Sequence, residues 1–124
     1  MTDRALILFA HGARDPRWAA PFEAVAARLR ERRPDVRVVL AFLELMAPSL
    51  AEAAAALHAE GARRIDVLPL FLGTGGHLRR DLPAQAQAIR DAHPGLALHL
   101  HVAVGEHPAL GDAMATIAES LLDA

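Results

Sequence analysis

The sequence switches four times between an apolar run of strand length and a longer stretch whose apolar residues recur at helical spacing. Ala5 to Ala10 is an unbroken apolar run. Phe22, Val25, Ala26 and Leu29 then repeat with helical period, and Arg33-Pro34-Asp35 breaks that helix. Val36 to Leu43 is a second β-rich run, followed by the helical set Leu50, Ala54 and Leu57, with Gly61 as its stop. Ile65 to Leu72 precedes Leu82, Ala86 and Ile89, a helix ended by Pro94-Gly95. Leu96 to Val102 precedes Leu110, Met114, Ile117 and Leu121. Four β-α units in a row predict an α/β fold, with a four-stranded parallel sheet and helices on both faces. Right-handed crossovers leave few topologies, and order 2-1-3-4 is expected. The first and third strands are then central, and their carboxyl ends flank the crevice where such sheets bind ligands. Pro69 cannot donate a ladder hydrogen bond, so the regular third strand should end near it. No linker, repeat or low-complexity stretch interrupts the pattern, so residues 1–124 read as one domain.

Composition removes several chemistries. The chain has no cysteine, which excludes disulfides, thiolate metal sites and cysteine nucleophiles. It has no lysine either, so a Schiff-base lysine and the lysine of a phosphate-binding P-loop are absent. A formal net charge of −2 argues against nucleic acid as a partner. No apolar run approaches the roughly 18 residues of a membrane span. The apolar stretch after Arg4 is too short for a signal peptide and is cut by His11, so a cytoplasmic protein is expected.

Two loops concentrate the reactive residues. The first strand runs into Ala10-His11-Gly12-Ala13-Arg14-Asp15, and the third into Gly73-Thr74-Gly75-Gly76-His77-Leu78-Arg79-Arg80-Asp81. Each places a histidine and arginines just past the end of a central strand, facing one crevice. Imidazole binds divalent first-row metals and exchanges protons near neutral pH. Glu44 ends the second strand at the same end of the sheet; it reads equally as a third ligand or proton acceptor and as a solvated loop residue. His99 and His101 share a strand face and read as the polar side of an edge strand. His107 precedes Pro108 and reads as a local cap, while His58 and His93 sit in last helical turns, where the dipole favours a cationic ring. The glycine loop has neither the lysine nor the spacing of a nucleotide cradle.

Phe9-Ala10-His11-Gly12-Ala13-Arg14, Leu43-Glu44 with Pro48-Ser49-Leu50, Pro69 through Pro83, and Gly105-Glu106-His107-Pro108 together resemble the small CbiX/SirB-type sirohydrochlorin chelatases. The resemblance runs from the first strand to the last helix, and the segment from Pro69 is its specific part. It implies ATP-independent insertion of Co2+ or Fe2+, in some members Ni2+, into sirohydrochlorin on the way to cobalamin-type or siroheme-type cofactors. It implies a homodimer in which a second chain supplies the missing half of the cleft. It implies a metal-binding set of His11, Glu44 and His77, with His11 and His77 as the catalytic pair. The metal is a substrate, and no organic cofactor is expected. Ala13 stands where many members have serine, which removes one hydrogen bond to a substrate carboxylate.

The residues fit that chemistry. Metallation exchanges two pyrrole N–H protons for one M2+, and two imidazoles with one carboxylate bind a divalent ion without the grip of a thiolate cage. The macrocycle is ringed by carboxylates, which Arg14 and Arg79 can clamp, with Gly75 and Gly76 giving close approach. Arg17 and Arg80 read as surface charges. Three other readings compete. A metal-delivery homodimer without turnover would keep the same residues. A histidine phosphatase also has His-Gly after its first strand, but places an arginine where this chain has Ala10. A flavodoxin-like cofactor binder shares the topology, but no tyrosine and only Trp18 and four phenylalanines are present to flank a flavin.

Overall fold

The computed structural model describes residues 3–123. Strands β1 (Arg4–Ala10), β2 (Arg37–Phe42), β3 (Arg64–Pro69) and β4 (Ala97–Leu100) alternate with helices α1 (Ala20–Arg32), α2 (Leu50–Ala59), α3 (Gly76–Ala92) and α4 (Pro108–Leu122). All pairings are parallel and the order is β2-β1-β3-β4, as the alternating pattern requires.

Side chains alternate across β1 and so build two cores. Ala5, Ile7 and Phe9 face α2 and α3, where Leu50, Ala54, Leu57, Leu82, Ala86 and Ile89 are buried with Phe71. Leu8 and Ala10 face α1 together with Val38, Leu40 and Phe42. Full burial of each large apolar side chain contributes about 2 kcal/mol. Two of the core helices carry a local start signal. Ser49 caps α2, its hydroxyl accepting from the Glu52 amide while the Glu52 carboxylate accepts from the Ser49 amide. Pro21 stands in the first turn of α1. Gly61, at φ 109°, turns the chain out of α2 in a conformation only glycine adopts easily.

The third strand ends at Pro69, and the proline also shortens β4. The Leu70 amide donates to the Phe9 carbonyl, while the Val67 carbonyl accepts from the His101 amide. Alternate residues thus address alternate neighbours, and the missing N–H at Pro69 falls on the β4 side. The ladder stops at Val67 opposite Leu100, so β4 spans four residues, not the run from Leu96 to Val102. Both outer edges are strapped by helix arginines. Arg30 of α1 donates to the Val38 carbonyl at 2.7 Å, and Arg90 of α3 to the Leu98 carbonyl at 3.0 Å.

The helical face read from Leu110, Met114, Ile117 and Leu121 forms in α4, but the sheet does not bury it. From residue 111 to 123 every described position is exposed. One helix therefore lies on one sheet face and two on the other. Val25 of α1 is likewise exposed, because Ala26 and Leu29 carry that helix's contact with the sheet. No helix among the described residues is long and apolar enough to cross a membrane.

Candidate metal centre at the carboxyl end of the sheet

The loops after β1, β2 and β3 are laced together by their own backbones. The Leu43 amide donates to the Ala10 carbonyl at 2.8 Å, and the Leu70 amide to the Phe9 carbonyl at 2.7 Å. The first loop lies against the second because residue 12 is glycine. A Cβ there would stand 1.6 Å from the Glu44 carbonyl oxygen, a contact no side chain tolerates. The chain turns just beyond, with Leu45 held at φ 67° and its side chain exposed. A branched side chain in this left-handed region costs roughly 1 kcal/mol, and the turn carries Glu44 back toward β1.

This geometry brings His11 and Glu44 together, with imidazole Nδ1 3.5 Å from carboxylate Oε1. Both side chains stay nearly half exposed, at 45% and 44%, so an incoming ion can reach them. Two contacts hold the His11 loop. Its ring packs on the buried ring of Phe71, with centroids 4.4 Å apart, and the Trp18 indole N–H donates to the His11 carbonyl at 2.7 Å. Phe71 follows β3, so the third strand's exit supports the first strand's histidine from below.

His77 is the second residue of α3, at the same end of the sheet, and is exposed. Among the described residues no three His, Asp or Glu side chains stand close enough to share one ion. The pair His11–Glu44 is assembled, and His77 stands apart from it in the first turn of α3. Gly75 precedes α3 in extended conformation, and no acidic residue occupies the first turn. The positive end of a 17-residue helix is therefore uncompensated there. Cβ atoms built at Gly73, Gly75 and Gly76 would meet nothing within 4 Å, so these glycines leave open space on the solvent side. Arg79 folds back to donate to the Thr74 carbonyl at 3.0 Å, bracing the loop. A cavity of about 250 Å3 opens beside it, lined in part by Thr74, Leu78, Arg79 and Glu106. Arg14 is exposed, whereas Arg17 is bound to Asp15 in a surface pair. Gly105 repeats the device of Gly12: a Cβ there would stand 1.8 Å from the Leu72 carbonyl oxygen, so the turn after β4 seats against the loop leading to His77.

The remaining histidines lie away from this pair, and His99 is exposed on β4. His101 lies one residue past β4, and its Nε2 is 2.8 Å from Asp66 Oδ1. Asp66 is a buried carboxylate, also bonded by Arg64 and Arg4. Burial raises its pKa, but hydrogen bonds from Arg64 and His101 and the charges of Arg64 and Arg4 outweigh that and lower it to about 2. His107 takes the N-cap position of α4 without a side-chain capping bond, so the capping role expected from sequence is not realised. His58 and His93 meet edge to face with centroids 5.1 Å apart, joining the ends of α2 and α3. Sequence reasoning missed Phe71, Trp18, Gly12 and Gly105 as supports of the site. His-Gly directly after a strand is a signal for a close loop contact, and an aromatic two residues after the strand's proline is a signal for the platform.

Relatives place this arrangement. A sirohydrochlorin cobaltochelatase of Methanocaldococcus jannaschii is 34% identical over 89 residues, covering 72% of this chain and 62% of that protein. A protein of the same name from Saccharolobus islandicus is 38% identical over 78 residues, covering 63% and 59%. The chain thus spans less than two thirds of the length of these curated relatives. The crystal structure of a CbiX protein from Marinobacter aquaeolei VT8 superposes with a TM-score of 0.84 at 33% identity, covering 97% of this chain and 98% of that one. The Bacillus subtilis sirohydrochlorin chelatase SirB in complex with cobalt superposes at 0.63 with 25% identity, covering 78% of this chain and 42% of that one. The sequence profile of the CbiX family matches residues 5–120, from the first strand through the last helix. With that profile running from β1 into α4 and the fold matching along 97% of the chain, the chain belongs to the CbiX family.

Proposed function

We propose that this chain inserts a divalent metal, Co2+ or Fe2+ and by the same ligand chemistry Ni2+, into sirohydrochlorin without ATP, as a cytoplasmic homodimer of one-domain chains. The observation that carries the proposal is the imidazole–carboxylate pair of His11 and Glu44 at the mouth of a parallel sheet. In this reading the pair and His77 hold the metal ion. The histidines and the carboxylate also receive the two pyrrole protons that the ion displaces and pass them to water, so charge balances in the product. Arg14, Arg79 and the free amides at the start of α3 hold substrate carboxylates, and the open space over Gly75 and Gly76 admits the flat ring. A single chain offers one wall, and a second copy supplies the other. The same ligands would also serve a metal-delivery protein, and turnover separates the two readings.

The test is anaerobic spectrophotometry of sirohydrochlorin with Co2+, Fe2+ or Ni2+, with and without the protein. A catalysed rate is expected, and His11→Ala or His77→Ala should lower it by at least about 100-fold, more than loss of an outer-sphere partner costs. Co2+ binding without any rate enhancement would replace the chelatase reading with metal delivery.

A further inference from the structure

Two unpartnered surfaces of this chain are complementary to each other but cannot meet within it. The first is α4. Its apolar stripe of Leu110, Met114, Ile117 and Leu121 runs along a helix of about 22 Å, and beyond Leu110 that stripe is open. Met114 is 47% exposed, Ile117 64% and Leu121 73%. The second is the sheet face on the α1 side, where α1 leaves the β3 and β4 half uncovered. A cavity of about 560 Å3 there has Leu6 and Leu68 as its floor and the root of α4 as one wall. A second cavity of about 240 Å3 continues it toward Leu29 and Val36 of the α1 side. The two share Leu6, Asp66 and His101, so they form one trench whose lining is mostly apolar, with the Asp66–His101 pair at the junction. Ala109, Leu110 and Ala113 reach the mouth of the trench, while α4 beyond Ala113 does not line it.

We infer that α4 lies in the trench of a second copy of this chain, each copy giving its helix and receiving its partner's. This deepens the homodimer of the proposed function and rests on it. Three observations select a second copy as the occupant. The stripe and the trench are both apolar and belong to the same chain, so a two-fold axis satisfies both at once through one self-complementary contact. Covering the exposed stripe and the floor beneath it, in both copies, removes on the order of 1,000 Å2 from water, the size at which a specific interface begins. The charges are opposite: the ionisable groups of α4 and its C-cap are Asp112, Glu119 and Asp123, while the trench carries Arg4, Arg33 and Arg64, whose three charges outnumber those of their paired carboxylates Asp66 and Asp35. The acids lie on the side of the helix opposite the stripe, so they steer association instead of forming buried pairs.

The natural absence of cysteine allows a direct test. A Leu6→Cys chain is mixed with an Ile117→Cys chain and oxidised. The expected product is a mixed disulfide pair, with neither chain linking to itself. Self-linked Ile117→Cys chains without mixed pairs would mean that two α4 helices pack on each other, and would overturn the exchange. In parallel, Ile117→Glu/Leu121→Glu should halve the mass seen by light scattering, from about 27 to about 13 kDa, with the far-UV circular dichroism per residue unchanged, because both side chains are exposed in one copy. A wild-type monomer, or a dimer that survives both glutamates, overturns the exchange. Metallation of sirohydrochlorin measured on the same samples keeps the two questions apart. A catalysed wild-type rate beside an undisturbed variant dimer rejects the helix exchange alone, while the absence of a rate beside a clean mixed cross-link rejects the chelatase reading alone.

Discussion

Gly12→Ala is the smallest change that should disable the site. The added methyl would sit 1.6 Å from the Glu44 carbonyl oxygen and 2.8 Å from its carbon, whereas real Cβ contacts stay beyond 3.0 Å. The flexible Met46 side chain is also in contact at 3.3 Å and can give way, but the Glu44 backbone cannot. The two loops must separate by roughly 1.8 Å or more to restore ordinary van der Waals distance. That movement strains the hydrogen bond from the Leu43 amide to the Ala10 carbonyl, now 2.8 Å. One weakened hydrogen bond costs about 1 kcal/mol, and an overpacked contact adds about 1–3 kcal/mol. The expected loss is about 2–4 kcal/mol, a fall in Tm on the order of 10 °C for a chain of this length. The chemical effect should be larger than the stability effect suggests. Glu44 moves away from His11 by more than an ångström, and a displacement of that size costs about 100-fold in a reaction that depends on placement. Differential scanning fluorimetry reads the first effect, and a Co2+ titration with anaerobic metallation reads the second. Gly95→Ala is the control, since its Cβ would meet nothing within 4 Å and Tm should hardly move. A Gly12→Ala protein with wild-type Tm and wild-type Co2+ affinity would refute the close contact as the device that sets the pair.

Two further perturbations test the scaffold. Asp66 has a folded pKa of about 2 against an ordinary value near 3.9, so its stabilisation, about 2.5 kcal/mol, is complete above about pH 5 and is lost as pH falls through 2. Urea unfolding of wild type and Asp66→Asn should therefore differ by about that amount at pH 7 and converge near pH 2; parallel curves across this range would show that the carboxylate is not held by its neighbours. Ser49→Ala removes the hydroxyl that caps α2 and should cost about 1 kcal/mol, seen as a Tm lower by about 4 °C, with no change in metal binding.

The sheet was legible because strands and helices of this fold carry their burial in their own period. Ile7 and Phe9 alternate with Leu8 and Ala10, and Leu82, Ala86 and Ile89 recur with a helical turn, so the element type follows from the residues alone. Pro69 announced the strand's end for the same reason, because a missing donor is a local property. The stripe of α4 shows the limit. Periodicity proves that one face of the helix is apolar, but it cannot say which body covers that face. Contacts between loops were illegible in a similar way. Gly12 is visible as a glycine, yet its need follows from a carbonyl 32 positions away that only the paired strands bring near. His101 has the composition of an exposed edge strand, and its partner Asp66 lies 35 positions away on the neighbouring strand. Glu44 stood open between ligand and solvated loop residue; its approach to His11 depends on the turn at Leu45, a conformation that no leucine advertises.

The arginine straps at the sheet's two outer edges have a consequence for solubility. Exposed edge strands recruit further strands and seed fibrous aggregates. Here the outward carbonyl of Val38 on β2 is occupied by Arg30, and that of Leu98 on β4 by Arg90. At the far end of β2 the outward Phe42 amide donates to the Pro48 carbonyl, 2.9 Å away. A guest strand arriving at either border would have to displace a guanidinium that already fills the acceptor it needs. Each border of the sheet thus has an acceptor already filled by its own helix, which hinders lateral growth beyond four strands.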